Sequence, residues 1–263
     1  MKQLLAIFIL LFLNSAQALD WRDNPDIGKL FTDAGVQGTF VLYDVDQDRY
    51  FGHDRIRAET RFIPASTFKI ANSLIGLSVG AVGSVDEVLP YGGTPQPIKT
   101  WEHDMGLREA IKISNVPIYQ ELARRIGLER MRENLAEMDY GNGEIGIKVD
   151  DFWLAGPLKI SAVEQTRFLA RLGQDRLPFS KEVQGQVREI VKLEQGEGWA
   201  LYGKTGQKAE IGWWVGWVQK AERLYSFAVN IEVPQTDDPA KRIELGKMRI
   251  ELGKASLKVL GVL

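Results

Sequence analysis

Residues 199–233 read WALYGKTGQKAEIGWWVGWVQKAERLYSFAVNIEV, and the spacing of their apolar side chains decides the fold. Three runs of strand length stand out: Trp199–Lys204, Gly212–Val218 and Leu224–Val233. Each is rich in aromatic and β-branched residues, as strands are. Gln219–Arg223 joins the last two, and only Gln207–Ile211 separates Gly206 from Gly212. Connections so short predict an antiparallel meander, with a tight hairpin after Gly206. Near the N-terminus Thr39–Val45 alternates apolar with polar residues, and Asp46-Gln47-Asp48 turns the chain into Arg49–Phe51, a second hairpin. The middle differs. Phe68–Val79, Met105–Ile111, Pro117–Ile126, Glu129–Glu137, Ala162–Leu172 and Lys181–Val191 have helical spacing, often with Gly or Pro at their ends. Lys241–Leu260 forms a final helix. The expectation is an α/β (α+β) fold: an antiparallel sheet built from both chain ends, flanked by terminal helices, with an all-helical lobe inserted. The mixed lobe should hold about 19–60 and 196–263, the helical lobe about 61–195, and the cleft between them is the natural site.

The final helix carries a repeat. Arg242–Lys247 and Arg249–Lys254 both read RIELGK. Seven residues are nearly two helical turns, so the copies present almost the same face.

At the start, Lys2 precedes an apolar run from Leu4 to Leu13 and then Ala16-Gln17-Ala18. That pattern predicts a signal peptide over residues 1–18 and a mature domain over 19–263. The run is shorter than the roughly 20 residues of a membrane helix, so no membrane association is expected once the leader is removed. The formal net charge is −2, and no basic stretch suggests nucleic acid. Cysteine is absent, which excludes thiol catalysis, and the two histidines, His53 and His103, lie far apart, so no metal is expected. A cysteine-free exported chain suits the periplasm. The oligomeric state stays open between monomer and homodimer.

Three short motifs can carry chemistry. Ser66-Thr67-Phe68-Lys69 opens an apolar helix, and residues at i and i+3 share a face, so hydroxyl and amine can meet. A helix start also offers free N–H groups to a developing oxyanion. Serine needs a base, and Lys69 serves only when unprotonated. Ser114-Asn115-Val116 precedes the helix near Pro117, where, taken alone, a capping serine is the better reading. Lys204-Thr205-Gly206 ends a predicted strand. There lysine and threonine can meet a substrate carboxylate, and glycine lets a ligand approach the backbone. An edge strand protected by its lysine is the alternative.

Order and spacing join these pieces. S-x-x-K, S-x-V and K-T-G in this sequence together resemble the penicillin-recognising serine enzymes. The fuller set is F-I-P-A-S-T-F-K at 62–69, Y-G-N at 140–142, F-W-L at 152–154 and G-W-W-V-G-W at 212–217. With it the chain resembles the class D, or oxacillinase, β-lactamases along its mature length. The resemblance implies hydrolysis of small β-lactams, giving antibiotic resistance, through acylation of Ser66. It implies no cofactor beyond carbon dioxide or bicarbonate, which carbamylates Lys69 into an anionic base. Phe68, Val116, Trp153 and Leu154 would form an apolar pocket that lowers the amine pKa, and the Trp153 indole N–H would anchor the carbamate. Ser114 would relay a proton, and Lys204 and Thr205 would hold the substrate carboxylate. Backbone N–H groups of Ser66 and Gln207 would form the oxyanion hole. An arginine supporting the carboxylate falls at Arg242 by spacing from Asn230, with Arg249 the rival that the repeat creates. Trp101 would line the cleft. Gln207 departs from the aromatic usual after K-T-G, and the connection Gln207–Ile211 is short for the family. Lys208, Ala209 and Glu210 should point to solvent, leaving the cleft wide.

Gly76-Leu77-Ser78-Val79-Gly80 fits the G-x-S-x-G elbow of α/β-hydrolases, but it closes a helix, where glycines are ordinary stops. A transpeptidase or a β-lactam sensor shares the three motifs; a sensor would be acylated without turning over.

Overall fold

The computed structural model describes residues 19–208, 210–234, 236 and 239–263, without the side chains of 239–243. The leader segment 1–18 lies outside the described residues. The chain opens with β1 (Trp21–Asp23), α1 (Pro25–Asp33), β2 (Gly38–Asp44), β3 (Arg49–His53) and α2 (Arg55–Glu59). A 3-10 turn, Ala65–Phe68, leads into α3 (Lys69–Ser78), followed by α4 (Leu107–Lys112), α5 (Val116–Ile126) and α6 (Leu128–Met138). Then come α7 (Phe152–Ala155), α8 (Ala162–Gly173) and α9 (Lys181–Ile190). The chain closes with β4 (Lys192–Gly196), β5 (Trp199–Lys208), β6 (Ile211–Lys220), β7 (Arg223–Glu232) and α10 (Pro239–Val259).

Among the described residues the strands form one sheet in the order β1-β3-β2-β7-β6-β5-β4. Both chain ends build it, as expected, because β2 pairs with β7 from Gly38↔Ile231 to Asp44↔Tyr225. One pairing is not antiparallel: β1 runs parallel to β3. The C-terminal meander is antiparallel throughout, and β5 meets β6 in register from Trp199↔Lys220 to Lys208↔Ile211. K-T-G therefore lies inside β5 and not at its end. The strand runs four residues past Lys204 because the turn between Lys208 and Ile211 is as tight as the sequence implied.

Why G-W-W-V-G-W-V lacks a polar face is now plain. Trp213, Val215 and Trp217 pack into the core shared with the helical lobe. Trp214 and Val218 pack into a second core under α1 and α10. A strand covered on both faces reads as a continuous apolar run. Each fully buried side chain of Leu or Phe size contributes roughly 1.5–3 kcal/mol, and all three tryptophans here are at most 1% exposed.

Helix α3 is the axis of the helical lobe, with every residue from Lys69 to Leu77 buried. A helix buried on every side must be surrounded, and α5 and α9 pack on it. It stops at Ser78, and Gly80 has φ +69°. The G-x-S-x-G segment is thus a helix end, with no strand before it. Helix α8 begins with a capping box, Ser161 with Glu164, and lies against β2, β6 and β7. Strand β4 starts at Lys192, earlier than the 196 boundary, and all five of its residues are exposed. Without a buried face it has no periodic signal, and its pairing with β5 alone defines it. No helix among the described residues is long and apolar enough to cross a membrane.

Candidate active site

The segment carrying Ser66 is pinned from three sides. Trp213 Nε1 donates to the Ile63 carbonyl at 2.9 Å, and Gln165 Nε2 donates to Thr67 Oγ1 at 2.9 Å. Thr67 Oγ1 in turn donates to the Pro64 carbonyl at 2.7 Å. The third side is β5 itself. A Cβ on Gly206 would fall 2.9 Å from the Pro64 oxygen and 3.1 Å from the Thr67 nitrogen. Gly206 thus lets the chain's own serine turn press against the strand, a role beyond admitting a ligand. Ala65, immediately before the serine, has φ +50°, the strained backbone often stored at functional sites.

Lys69 Nζ donates to Ser66 Oγ at 3.0 Å, the i, i+3 meeting that a helix start allows. Ser66 is 9% exposed and Lys69 fully buried. Burial, with a smaller contribution from the positive Lys204, pushes the Lys69 amine well below its ordinary 10.5. An ammonium without solvent or counter-ion loses its proton readily. The closed pocket is aromatic. Trp153 stacks on Phe68 with centroids 5.4 Å apart, and the Tyr119 ring lies 5.1 Å from Lys69 Nζ. Val116 and Leu154 line the open cleft in front of the serine. Trp153 Nε1 is buried with no hydrogen-bond partner. Such an orphaned donor is costly, on the order of 1–3 kcal/mol.

Ser114, at φ +56°, precedes α5. It does not cap that helix. Asn115 does, accepting from Ile118 N at 3.1 Å, while its amide donates to the Trp101 carbonyl. Ser114 Oγ is left to accept from Lys204 Nζ. Lys204 also reaches the Thr205 carbonyl at 3.0 Å. Burial, and then Arg249, pushes its amine down to about 7. Desolvation likewise lowers Arg249 to about 10.

Ser66, Ser114 and Arg249 open onto a cavity of about 400 Å³ between the lobes, and Lys204 stands behind Ser114. Ser66, Ser114, Thr205, Gly206 and Gln207 line it, with Val116, Leu154 and Trp101 on the helical side. Trp101 is anchored by its Nε1, which donates to the Ile113 carbonyl at 3.0 Å. Lys69 and Trp153 sit behind the serine. Lys208, expected in solvent, is exposed yet forms part of the rim. Glu210 is exposed, and Ala209 lies outside the described residues. A second cavity, about 320 Å³ behind Lys204 and Trp214, contains no serine.

The Arg242 side chain lies outside the described residues. Arg249, its counterpart in the repeat, lines the cleft and donates through Nη1 to Gln207 Oε1 at 2.6 Å. Packing sets that register: a Cβ on Gly253 would fall 2.3 Å from Trp214, so the second copy lies flush on the sheet. Among the described residues no cluster of three or more His, Cys, Asp or Glu side chains could hold a metal. Asn115 and Gln165 were not anticipated. Asn115 had a legible signal, a capping residue two positions before Pro117, whereas nothing local marks Gln165.

The chain matches the penicillin-binding protein transpeptidase domain over residues 38–247. It is 40% identical over 226 residues to the β-lactamase OXA-48 of Klebsiella pneumoniae, covering 84% of this chain and 85% of that one. It is 39% identical to OXA-5 of Pseudomonas aeruginosa over 241 residues, 89% of this chain and 90% of the relative. A crystal structure of FUS-1 (OXA-85), a class D β-lactamase from Fusobacterium nucleatum subsp. polymorphum, superposes with a TM-score of 0.86 at 42% identity, covering 92% of this chain and all of that one. With motifs, fold and relatives in agreement, the chain belongs to the class D β-lactamases, within the penicillin-binding transpeptidase family.

Proposed function

We propose that this protein hydrolyses the cyclic amide of penicillins and related β-lactams through an ester on Ser66. One observation carries the reading: a serine and a desolvated lysine 3.0 Å apart open onto a cleft that also presents Arg249. Ser66 Oγ adds to the lactam carbonyl carbon while its proton passes to the base at position 69. The ring C–N bond breaks, and the departing nitrogen takes a proton through Ser114 Oγ. Lys204 fixes that oxygen as an acceptor, so its own hydrogen is free to be donated. Water then attacks the ester with position 69 again taking the proton, and Ser66 is restored. The Ser66 and Gln207 backbone N–H groups serve as oxyanion donors in this reading. Lys204, Thr205 and Arg249 receive the substrate carboxylate.

Carbon dioxide bonded to the Lys69 nitrogen, with one N–H proton released to solvent, would supply an anionic base at that position. The residues fit such a group. Lys69 is buried beside the Tyr119 ring and next to Phe68, which stacks on Trp153; burial pushes its amine toward the neutral form, and Trp153 Nε1 lacks an acceptor. The leader pattern over residues 1–18 extends the proposal to export into the periplasm, where turnover gives antibiotic resistance.

Steady nitrocefin turnover, many equivalents per protein, is the expected result. A single stoichiometric burst would instead assign the protein as a sensor or transpeptidase. The pH profile supplies a second check. Carboxylate binding needs Lys204 charged, and its amine in the free protein sits at about 7. As pH rises through that value the charge is lost, so kcat/KM for benzylpenicillin should fall. A bound carboxylate holds the proton on Lys204, so kcat should stay level to higher pH. A kcat/KM flat from pH 6 to 9 would refute Lys204 as the carboxylate's partner.

A further inference from the structure

Arg249 reaches the cleft from α10, and its Nη1 donates to Gln207 Oε1 at 2.6 Å, joining residues 42 positions apart. Both side chains line the cavity that holds Ser66. Among the described residues no carboxylate pairs with Arg249, and its buried Nε has no partner. The surroundings leave room for the pair. Gly246, buried one turn earlier on α10, would place a Cβ 3.2 Å from Gln207 Oε1 and 3.7 Å from Arg249 Nη1. Gly212, on β6, would place one 3.6 Å from the same Nη1.

We infer that Gln207 is a positioning residue for substrate recognition: its amide carbonyl fixes the Arg249 guanidinium at the cleft while leaving its charge intact for the carboxylate of the β-lactam. The inference rests on the β-lactamase reading above. A free arginine has several rotatable bonds, and freezing them on binding lowers affinity by roughly threefold to tenfold. A tether present before substrate arrives removes that loss. The chemistry of the tether matters as much as its place. A glutamate here would hold the guanidinium equally well but cancel its charge. An apolar side chain would keep the charge and release the guanidinium. Only a neutral acceptor does both, and at this position the side chain of Gln207 provides it.

The test compares benzylpenicillin with its methyl ester, which lacks the anion. In the native protein the acid should be preferred. Gln207→Leu should cut the acid-to-ester ratio of kcat/KM about tenfold, with the larger part of the change in KM for the acid. Gln207→Glu should cut the ratio at least as far, although it keeps an acceptor. Gly246→Ala, which crowds the pair without altering either partner, should move the ratio the same way by a smaller factor. An unchanged ratio in both Gln207→Leu and Gly246→Ala overturns the inference, as does a native ratio in Gln207→Glu. Turnover of neither compound by the native protein overturns the β-lactamase reading, and the inference with it.

Discussion

Ser66→Ala is expected to abolish β-lactam turnover, lowering kcat by 10⁵-fold or more on the scale of nucleophile deletions in other serine hydrolases. The fold should survive. Ser66 contributes one small side chain to a turn held by Thr67, Gln165 and Trp213, and its Oγ receives a single bond, from Lys69. Losing a neutral hydrogen bond of this kind costs about 1 kcal/mol, and burial already pushes the amine it leaves toward its neutral form. The melting temperature should therefore shift by only a few degrees. Mass spectrometry separates chemistry from folding. The native protein should gain the mass of one penicillin during turnover and the variant none. A penicillin adduct on Ser66→Ala would place the nucleophile elsewhere.

The second large effect concerns the base. Trp153→Phe keeps a ring stacked against Phe68 while deleting the unpartnered indole N–H. A buried hydrogen bond to an anion is worth roughly 1.5–3 kcal/mol, so kcat should fall about tenfold to hundredfold. Deacylation should slow more than acylation, because water is the weaker nucleophile and depends more on the base, and an acyl-enzyme should accumulate. Activity should also fall in acid, where the Lys69 amine takes up a proton and cannot add carbon dioxide. Burial shifts the Lys69 amine toward its neutral form, and falling pH works against that shift. Added bicarbonate should restore activity in acid and in Trp153→Phe. Full activity of either protein in carbon-dioxide-free buffer would remove the modified lysine from the mechanism.

Much of this was legible in the sequence because it depends on local period and spacing. The runs in 199–233 and Thr39–Val45 specify strands through their own side chains. Ser66 and Lys69 share a face because a helical turn puts i and i+3 together. The closing helix, the tight hairpin and the helical block follow from short-range rules of the same kind. Elements without an apolar pattern escaped: β4 is wholly exposed and exists through its pairing, and β1 has three residues and a parallel partner. Tertiary structure alone decided the rest, since it depends on what lies opposite a side chain. Ser114 finds its partner in Lys204, 90 residues later, and only the packing of β5 beside the helical lobe brings the two together. Gly206 is a glycine because the Ser66 turn presses on β5. The place of Arg249, the arginine of the second RIELGK copy, is decided in the same way. Arg249 occupies the cleft because Gly253 seats the second copy against Trp214, a contact between two chain segments that the sequence lists separately and only packing joins.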